Sequence, residues 1–248
     1  MRPLVPTLTL IALLVVAGCV GGPAGGPDRT ATEAGTPTGD AAPTQPDHPA
    51  SVGSESVAAY ANESETYRLH EAALDDGATR VDVTCSATTV GFDDGGGYAL
   101  VACDGTVYRG DSADHVERVT AYRVTTDGET RIERVSTRDD GSDDERRLRV
   151  YNFGDERRSL AVTVAPAGGG TANDSAVYEY RLDGTSGAAT TGLQLNESVE
   201  RYDVTVAADG SSRLSTRWTT TGDADGDGPV GVVLVTPDGE LVWGTAPA

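Results

Sequence analysis

The stretch Val230-Gly231-Val232-Val233-Leu234-Val235-Thr236-Pro237-Asp238-Gly239-Glu240-Leu241-Val242-Trp243 sets the architecture expected of the C-terminal half. Two apolar β-branched runs flank Pro-Asp-Gly, a residue set that pre-sets a turn and stops strands. Working backwards, the same rhythm recurs. Leu148-Arg-Val-Tyr-Asn, Leu160-Ala-Val-Thr-Val, Val177-Tyr-Glu-Tyr-Arg-Leu, Tyr202-Asp-Val-Thr-Val and Leu214-Ser-Thr-Arg-Trp218 precede it, separated by Gly, Asp and Asn. Short alternating segments at this spacing predict an antiparallel two-sheet β-sandwich over residues 145–246. Trp218 and Trp243 would supply its largest buried side chains.

Upstream, residues 57–140 predict a second small domain, β-rich with one short helix. Ser64, Glu65, Tyr67, Leu69, Ala72 and Ala73 suggest a helix capped by Ser64 and ending at Asp76-Gly77. Val81, Val83 and Cys85 then alternate with polar residues, as in a half-buried strand. Tyr98–Cys103 reads as a second strand, which Asp104-Gly105 turns into Thr106–Arg109. Asp127-Gly128 between Tyr122–Thr125 and Thr130–Glu133 is a hairpin signal. The charged, glycine-broken run Arg138–Arg147 is the expected boundary between the two domains, in a fold that is mainly β.

Cys85 and Cys103 both fall on inward-looking strand positions, and the only other cysteine is Cys19. In an oxidising compartment such a pair is expected to form a disulfide, making the N-terminal domain a stapled module. Neither cysteine has the CxxC spacing or flanking His of a metal site.

The N-terminus gives the compartment. Arg2 is followed by an apolar run to Ala17, about 14 residues or roughly 20 Å of helix, too short for a hydrocarbon core of about 30 Å. A charged start, a short apolar segment and a small-residue end make residues 1–18 a secretory signal peptide. Val16-Ala17-Gly18-Cys19 resembles the lipobox of prokaryotic lipoproteins. That resemblance implies cleavage before Cys19 and a lipid on its sulfur, so that the membrane becomes a partner through the lipid. Residues 19–56 are rich in Pro, Gly, Ala and Thr without helical or strand period, and read as the anchor followed by a disordered stalk. His48 lies in it and is expected to be solvated.

Composition narrows the setting. There are 39 Asp plus Glu against 19 basic residues, every one of them Arg, for a net charge of −20. Loss of Arg2 with the signal would make the net charge −21. Such self-repulsion opposes compaction in dilute buffer and is screened within roughly 3 Å at molar salt. Acid excess without lysine, with few aromatics, resembles the secreted proteins of haloarchaea. Phosphate would be repelled, so nucleic acid is not the expected partner.

Residues 148–153 and the spaced strands ending at Trp243 are similar to the immunoglobulin-like β-sandwich domains of haloarchaeal surface proteins. That resemblance is at the level of fold and transfers no catalytic residue.

Three constellations bear on chemistry. Asp223, Asp225 and Asp227 with Gly228 have the oxygen-ligand spacing that opens an EF-hand-type calcium loop, but Leu234 stands where the bidentate Glu belongs. Calcium is the one cofactor the sequence raises. Asp111, Asp114 and His115 place carboxylates beside an imidazole, a set that general acid/base chemistry can use, although a polar loop in an acid-rich chain reads the same way. Asn62, Asn173 and Asn196 open N-glycosylation sequons and are expected on loops. No HExxH, GxSxG or P-loop occurs, and the GxGxxG letters at Gly226–Gly231 fall between strands. The expectation is a non-enzymatic, lipid-anchored structural or binding protein on the outer face of the cytoplasmic membrane of a halophilic archaeal envelope. Its partner there would be an envelope protein or glycan. The alternatives are a substrate-capturing lipoprotein of a transporter and a secreted hydrolase acting through the Asp111–His115 segment.

Overall fold

The structure, a computed structural model, describes residues 42–135, 146–168, 175–184, 187–193, 195, 198–209, 212–220 and 229–246. The signal, Cys19, residues 138–145 of the expected boundary, Asn173, Asn196 and the Asp223–Asp227 loop lie outside them.

The first element, α1 (Ser54–Asp75), begins ten residues before the expected start. Its apolar stripe runs through Val57, Tyr60, Ala61, Leu69 and Ala73 at helical spacing, yet the middle of that stripe is Ser64 and Glu65, both buried. A polar centre in an apolar face hides the periodicity, so the first three turns read as coil. Ser64 is thus a mid-helix residue and not a cap. At the true start the Gly53 N–H donates to Ser56 Oγ at 3.0 Å, and Ser56 Oγ–H donates to the Ser51 carbonyl at 2.8 Å. The end is as expected: Asp76 and Gly77 donate to Ala72 and Leu74, and Gly77 takes φ +80°, the left-handed turn that glycine permits. The expected stalk therefore ends earlier than residue 56. Val52 packs against the helix-side core and His48, exposed but not free, stacks on Tyr60 with ring centroids 4.9 Å apart.

Four strands follow as an antiparallel meander: β1 (Arg80–Phe92), β2 (Gly97–Arg109), β3 (Ser112–Val124) and β4 (Glu129–Val135). The Asp127-Gly128 hairpin forms, with Val124 opposite Glu129. The expected turn at Asp104-Gly105 does not, because β2 runs straight through it. Gly105 pairs with Val83, and a Cβ there would lie 2.1 Å from the Asp82 carbonyl oxygen, so the glycine serves a close backbone approach.

The remaining strands are β5 (Arg146–Asn152), β6 (Arg158–Pro166), β7 (Ala176–Leu182), β8 (Gly187–Leu193), β9 (Arg201–Ala208), β10 (Ser212–Thr219), β11 (Val230–Val235) and β12 (Leu241–Ala246). All seven expected strands of this half are present. The eighth, β8, is Gly-Ala-Ala-Thr-Thr-Gly-Leu, whose small residues carry no alternation. The strands form two four-stranded sheets, ordered β12-β11-β5-β8 and β10-β9-β6-β7; their pairs are antiparallel as expected except that β11, arriving from the far end of the chain, runs parallel to β5.

The layers stack as helix, meander sheet, middle sheet and outer sheet. Helix α1 covers one face of the meander with Val57, Tyr60 and Ala61 against Ala99, Val101, Cys103, Tyr122 and Val124. The other face, through Tyr98, Leu100, Ala121 and Ile132, packs on Tyr151, Phe153, Val232 and Leu234 of the middle sheet. The opposite side of that sheet, with Leu148, Val150, Val233 and Val235, meets Val162, Val164, Tyr202, Val204 and Trp218 of the outer sheet. Strand β11 is therefore buried on both faces along its whole length, which is why its sequence is apolar without alternation. Gly91 and Gly244 let β1 and β12 approach: a Cβ on Gly244 would sit 2.3 Å from the Val90 carbonyl oxygen. The β-rich module and the sandwich thus share a core, and Ala41–Ala248 form one compact unit.

Candidate functional site

The densest group of ionisable side chains lies where α1 crosses β3 and β4. Strand alternation puts Thr120 and Tyr122 of β3, and Glu129, Arg131 and Glu133 of β4, on the helix side, with Thr120 opposite Glu133 and Tyr122 opposite Arg131. Glu65, fully buried, projects onto them from mid-helix. Arg131 grips it with both prongs of the guanidinium, Nε to Oε2 and Nη2 to Oε1, each at 2.7 Å. Tyr122 donates its hydroxyl to Oε2 at 2.6 Å and Thr120 to Oε1 at 3.0 Å. Arg131 Nη1 also reaches Glu133 at 2.9 Å, and Arg118 bridges Glu133 at 3.1 Å. One helical turn away Arg68 pairs with Glu129 at 2.5 Å, and Ser64 donates to the same carboxylate at 3.2 Å.

Burial pushes the Glu65 carboxyl up, but the hydrogen bonds from Arg131 and Tyr122 outweigh it and hold the group below its ordinary range. Burial and the adjacent Glu65 charge together raise the Tyr122 hydroxyl far above normal. Both Glu65 oxygens already accept two bonds each, so the carboxylate has no unused acceptor to present to a substrate. This arrangement fastens the helix to the sheet.

A smaller version closes the β1–β2 turn. Asp93 accepts from the Gly95 N–H at 2.9 Å, from the Tyr98 hydroxyl at 2.5 Å and from Arg123 Nε and Nη2 at 3.1 and 3.2 Å. Burial raises the Asp93 carboxyl, yet Arg123, Tyr98 and Gly95 together leave it lowered.

The residues singled out from sequence fall as follows. Cys85 and Cys103 are directly opposite on β1 and β2 with Cα atoms 4.1 Å apart, and they form the expected disulfide beneath α1. Asp111 and Gly110 make the β2–β3 turn, and Asp114 and His115 lie on β3 itself. Asp114 pairs with Arg109 at 2.5 Å, pointing away from His115, whose Nε2 instead lies 3.5 Å from Asp104 with both side chains well exposed. The three residues expected to act together are thus apart: Asp111 is in the turn, Asp114 is held by Arg109, and His115 lies beside Asp104 on an open strand surface. Asn62, expected on a loop, sits in the middle of α1, where its carbonyl accepts from Thr66 and its Oδ1 is buried without a partner. His70 is on the same helix, half-buried. Among the described residues no group of three His, Cys, Asp or Glu side chains could hold a metal ion. No described helix is long and apolar enough to cross a membrane.

Sequence reasoning missed Glu65 as a partner of Arg131. A signal was present, since a lone carboxylate at helical spacing within an apolar stripe needs a buried cation, but the sequence does not say which of the nearby arginines supplies it. Compared with protein-family models, curated proteins and solved structures, the chain matches none.

Proposed function

We propose that this chain is a lipid-anchored structural or binding protein of a halophilic archaeal envelope, held to the outer face of the cytoplasmic membrane through Cys19 and without catalytic activity of its own. The observation that carries the reading is the sequence Val16-Ala17-Gly18-Cys19 behind a short apolar run. The Cys85–Cys103 disulfide supports it, because such bonds persist in oxidising compartments. So does the acid excess, which molar salt would screen. A covalent lipid also explains how so acidic a chain could stay at an anionic surface that repels it. The carboxylates with the most partners, Glu65 and Asp93, are saturated by the fold and are best read as structural.

The test is fractionation of cells expressing the full chain against its Cys19→Ser variant. The wild type should sediment with membranes and partition into detergent, and the variant should not. A variant that partitions like the wild type removes the anchor from the reading.

A further inference from the structure

The outer face of the sheet β10-β9-β6-β7 carries an unusual charge. On its strands the outward side chains are Arg213, Ser215, Arg217 and Thr219 of β10; Arg201, Asp203, Thr205 and Ala207 of β9; Ala161, Thr163 and Ala165 of β6; and Val177, Glu179 and Arg181 of β7. Four arginines stand against two carboxylates, in a chain whose net charge is −20. Arg217 is paired with Asp203 at 3.1 Å. Arg181, Arg201 and Arg213 are exposed and, among the described residues, have no carboxylate within ion-pair distance, although the chain holds 39 acidic residues. Elsewhere in the described structure arginines are mostly engaged, as Arg68, Arg80, Arg109, Arg118, Arg123, Arg131, Arg157 and Arg158 are.

The register fixes how the three are placed. Arg213 opposes Ala207, which opposes Ala161; the next row outward is Ser215, Thr205 and Thr163; Arg201 lies opposite Thr219 at the far end, and Arg181 opposite Ser159 on the other edge. With about 3.4 Å per residue and 4.8 Å between strands, the arginines frame a field of roughly 27 by 14 Å. Its floor holds Ala161, Ala165, Ala207 and a row of hydroxyls, in which Thr205 and Ser215 meet at 3.5 Å; of the two carboxylates on this face, Asp203 beside Ala165 is taken up by Arg217, and Glu179 lies opposite Ala161 on the β7 edge.

We propose that this face is a docking surface for a linear polysaccharide bearing carboxylate or sulfate groups. Guanidinium groups bind such anions in pairs of parallel hydrogen bonds. The Thr and Ser hydroxyls both donate and accept, which suits sugar hydroxyls lying across a flat floor. A folded protein partner suits it less: the field is about 380 Å², well below the roughly 800 Å² per side of a standard interface, and its outward positions include no aromatic anchor. The acidic remainder of the molecule does not prevent binding, because the Debye length, about 8 Å at 0.15 M salt and roughly 3 Å at molar salt, screens charges on the far side of the sandwich, while bidentate contacts at hydrogen-bond distance act within it.

The proposal deepens the binding-protein reading above and does not depend on the anchor, whose failure the Cys19→Ser fractionation reads separately. The experiment is a calorimetric titration of the full chain with dextran sulfate and with polygalacturonate. Neutral dextran and poly-L-glutamate serve as comparisons, and circular dichroism confirms the fold at each salt concentration used. The wild type should bind both anionic polysaccharides, and neither comparison polymer as tightly. Arg181→Gln/Arg201→Gln/Arg213→Gln should weaken binding at least about tenfold and flatten its salt dependence by two to three counterions, by analogy with polyanion binding in general. Arg80→Gln/Arg157→Gln, which removes two exposed but paired arginines, should stay within about twofold of the wild type, as expected for exposed pairs. Absence of polysaccharide binding, an unchanged triple variant or an equally weakened control variant overturns the proposal. Equal binding of neutral dextran overturns it too, and equal binding of poly-L-glutamate replaces it with an acidic-peptide surface.

Discussion

Glu65→Ala should be among the most damaging single changes in this protein. It strips the acceptor from two guanidinium hydrogen bonds and from the hydroxyls of Tyr122 and Thr120, both fully buried. Removing one partner of a buried pair costs about 3–5 kcal/mol, because the other charge is left uncompensated. Here Arg131 keeps Glu133 at 2.9 Å and its side chain is 21% exposed, which draws the ion-pair part toward the lower bound. The two orphaned hydroxyls add about 1 kcal/mol each. The expected loss is about 5 kcal/mol, or a Tm lower by roughly 10–20 °C for a unit of this size. Urea denaturation in molar NaCl, followed by circular dichroism, measures it. Replacing the whole set by apolar groups, as in Glu65→Leu/Arg131→Met/Tyr122→Phe, should recover most of the loss, since the desolvation penalty disappears with the charges. A Glu65→Ala loss below about 1 kcal/mol would refute the reasoning, because a buried, four-fold hydrogen-bonded carboxylate cannot be that cheap to delete. A triple variant no more stable than Glu65→Ala would show that shape, and not charge compensation, governs the site.

Acid should unfold the protein through these same groups. Glu65 and Asp93 are both lowered in the folded state, so their contribution is complete above the unfolded carboxylate values of about 4 and is lost as pH falls through the folded ones. A stability profile between pH 6 and 2 should therefore drop below about pH 4, and Glu65→Gln should flatten the drop. Cys85→Ser/Cys103→Ser opens a link of sequence separation 18 and should cost about 3 kcal/mol in the chain-entropy model, read from urea midpoints with and without reductant. Gly244→Val places a side chain against the Val90 carbonyl where β12 meets β1, and should destabilise by at least about 1–3 kcal/mol in thermal melts. Both tryptophans lie in the sandwich, whereas the one helix among the described residues lies on the meander. Because the halves share a core, tryptophan fluorescence and the helical dichroism signal should melt together, and separated transitions would show two independent domains.

Much of the sandwich is legible in the amino-acid order. Residues such as Tyr202, Val204 and Val206 alternate with Asp203 and Thr205, and period-two burial follows from the pleat. The Cys85–Cys103 pairing is legible for the same reason, both being inward residues of adjacent strands. The helix is half legible, because its stripe passes through Ser64 and Glu65, and the burial of Glu65 depends on Arg131 sixty-odd residues away. Strand β8 is not legible, since Gly, Ala and Thr are acceptable in a strand only when neighbours supply the pairing.

The features that the chain dictates alone are local: strand segments, turns at Asp127-Gly128 and Pro237-Asp238-Gly239, and the cysteine pair. The export and lipidation signal belongs with them, as a proposal resting on residues 1–19. Tertiary packing settled which faces meet. It let β2 run past Asp104-Gly105, split Asp114 from His115, placed β5 parallel to β11, and joined two expected domains through the middle sheet. The physical reason is that alternation and tight turns are set by neighbours in the chain. The partner of a buried charge, or of the second face of a strand, is chosen among residues far apart in sequence, where no periodicity points to it.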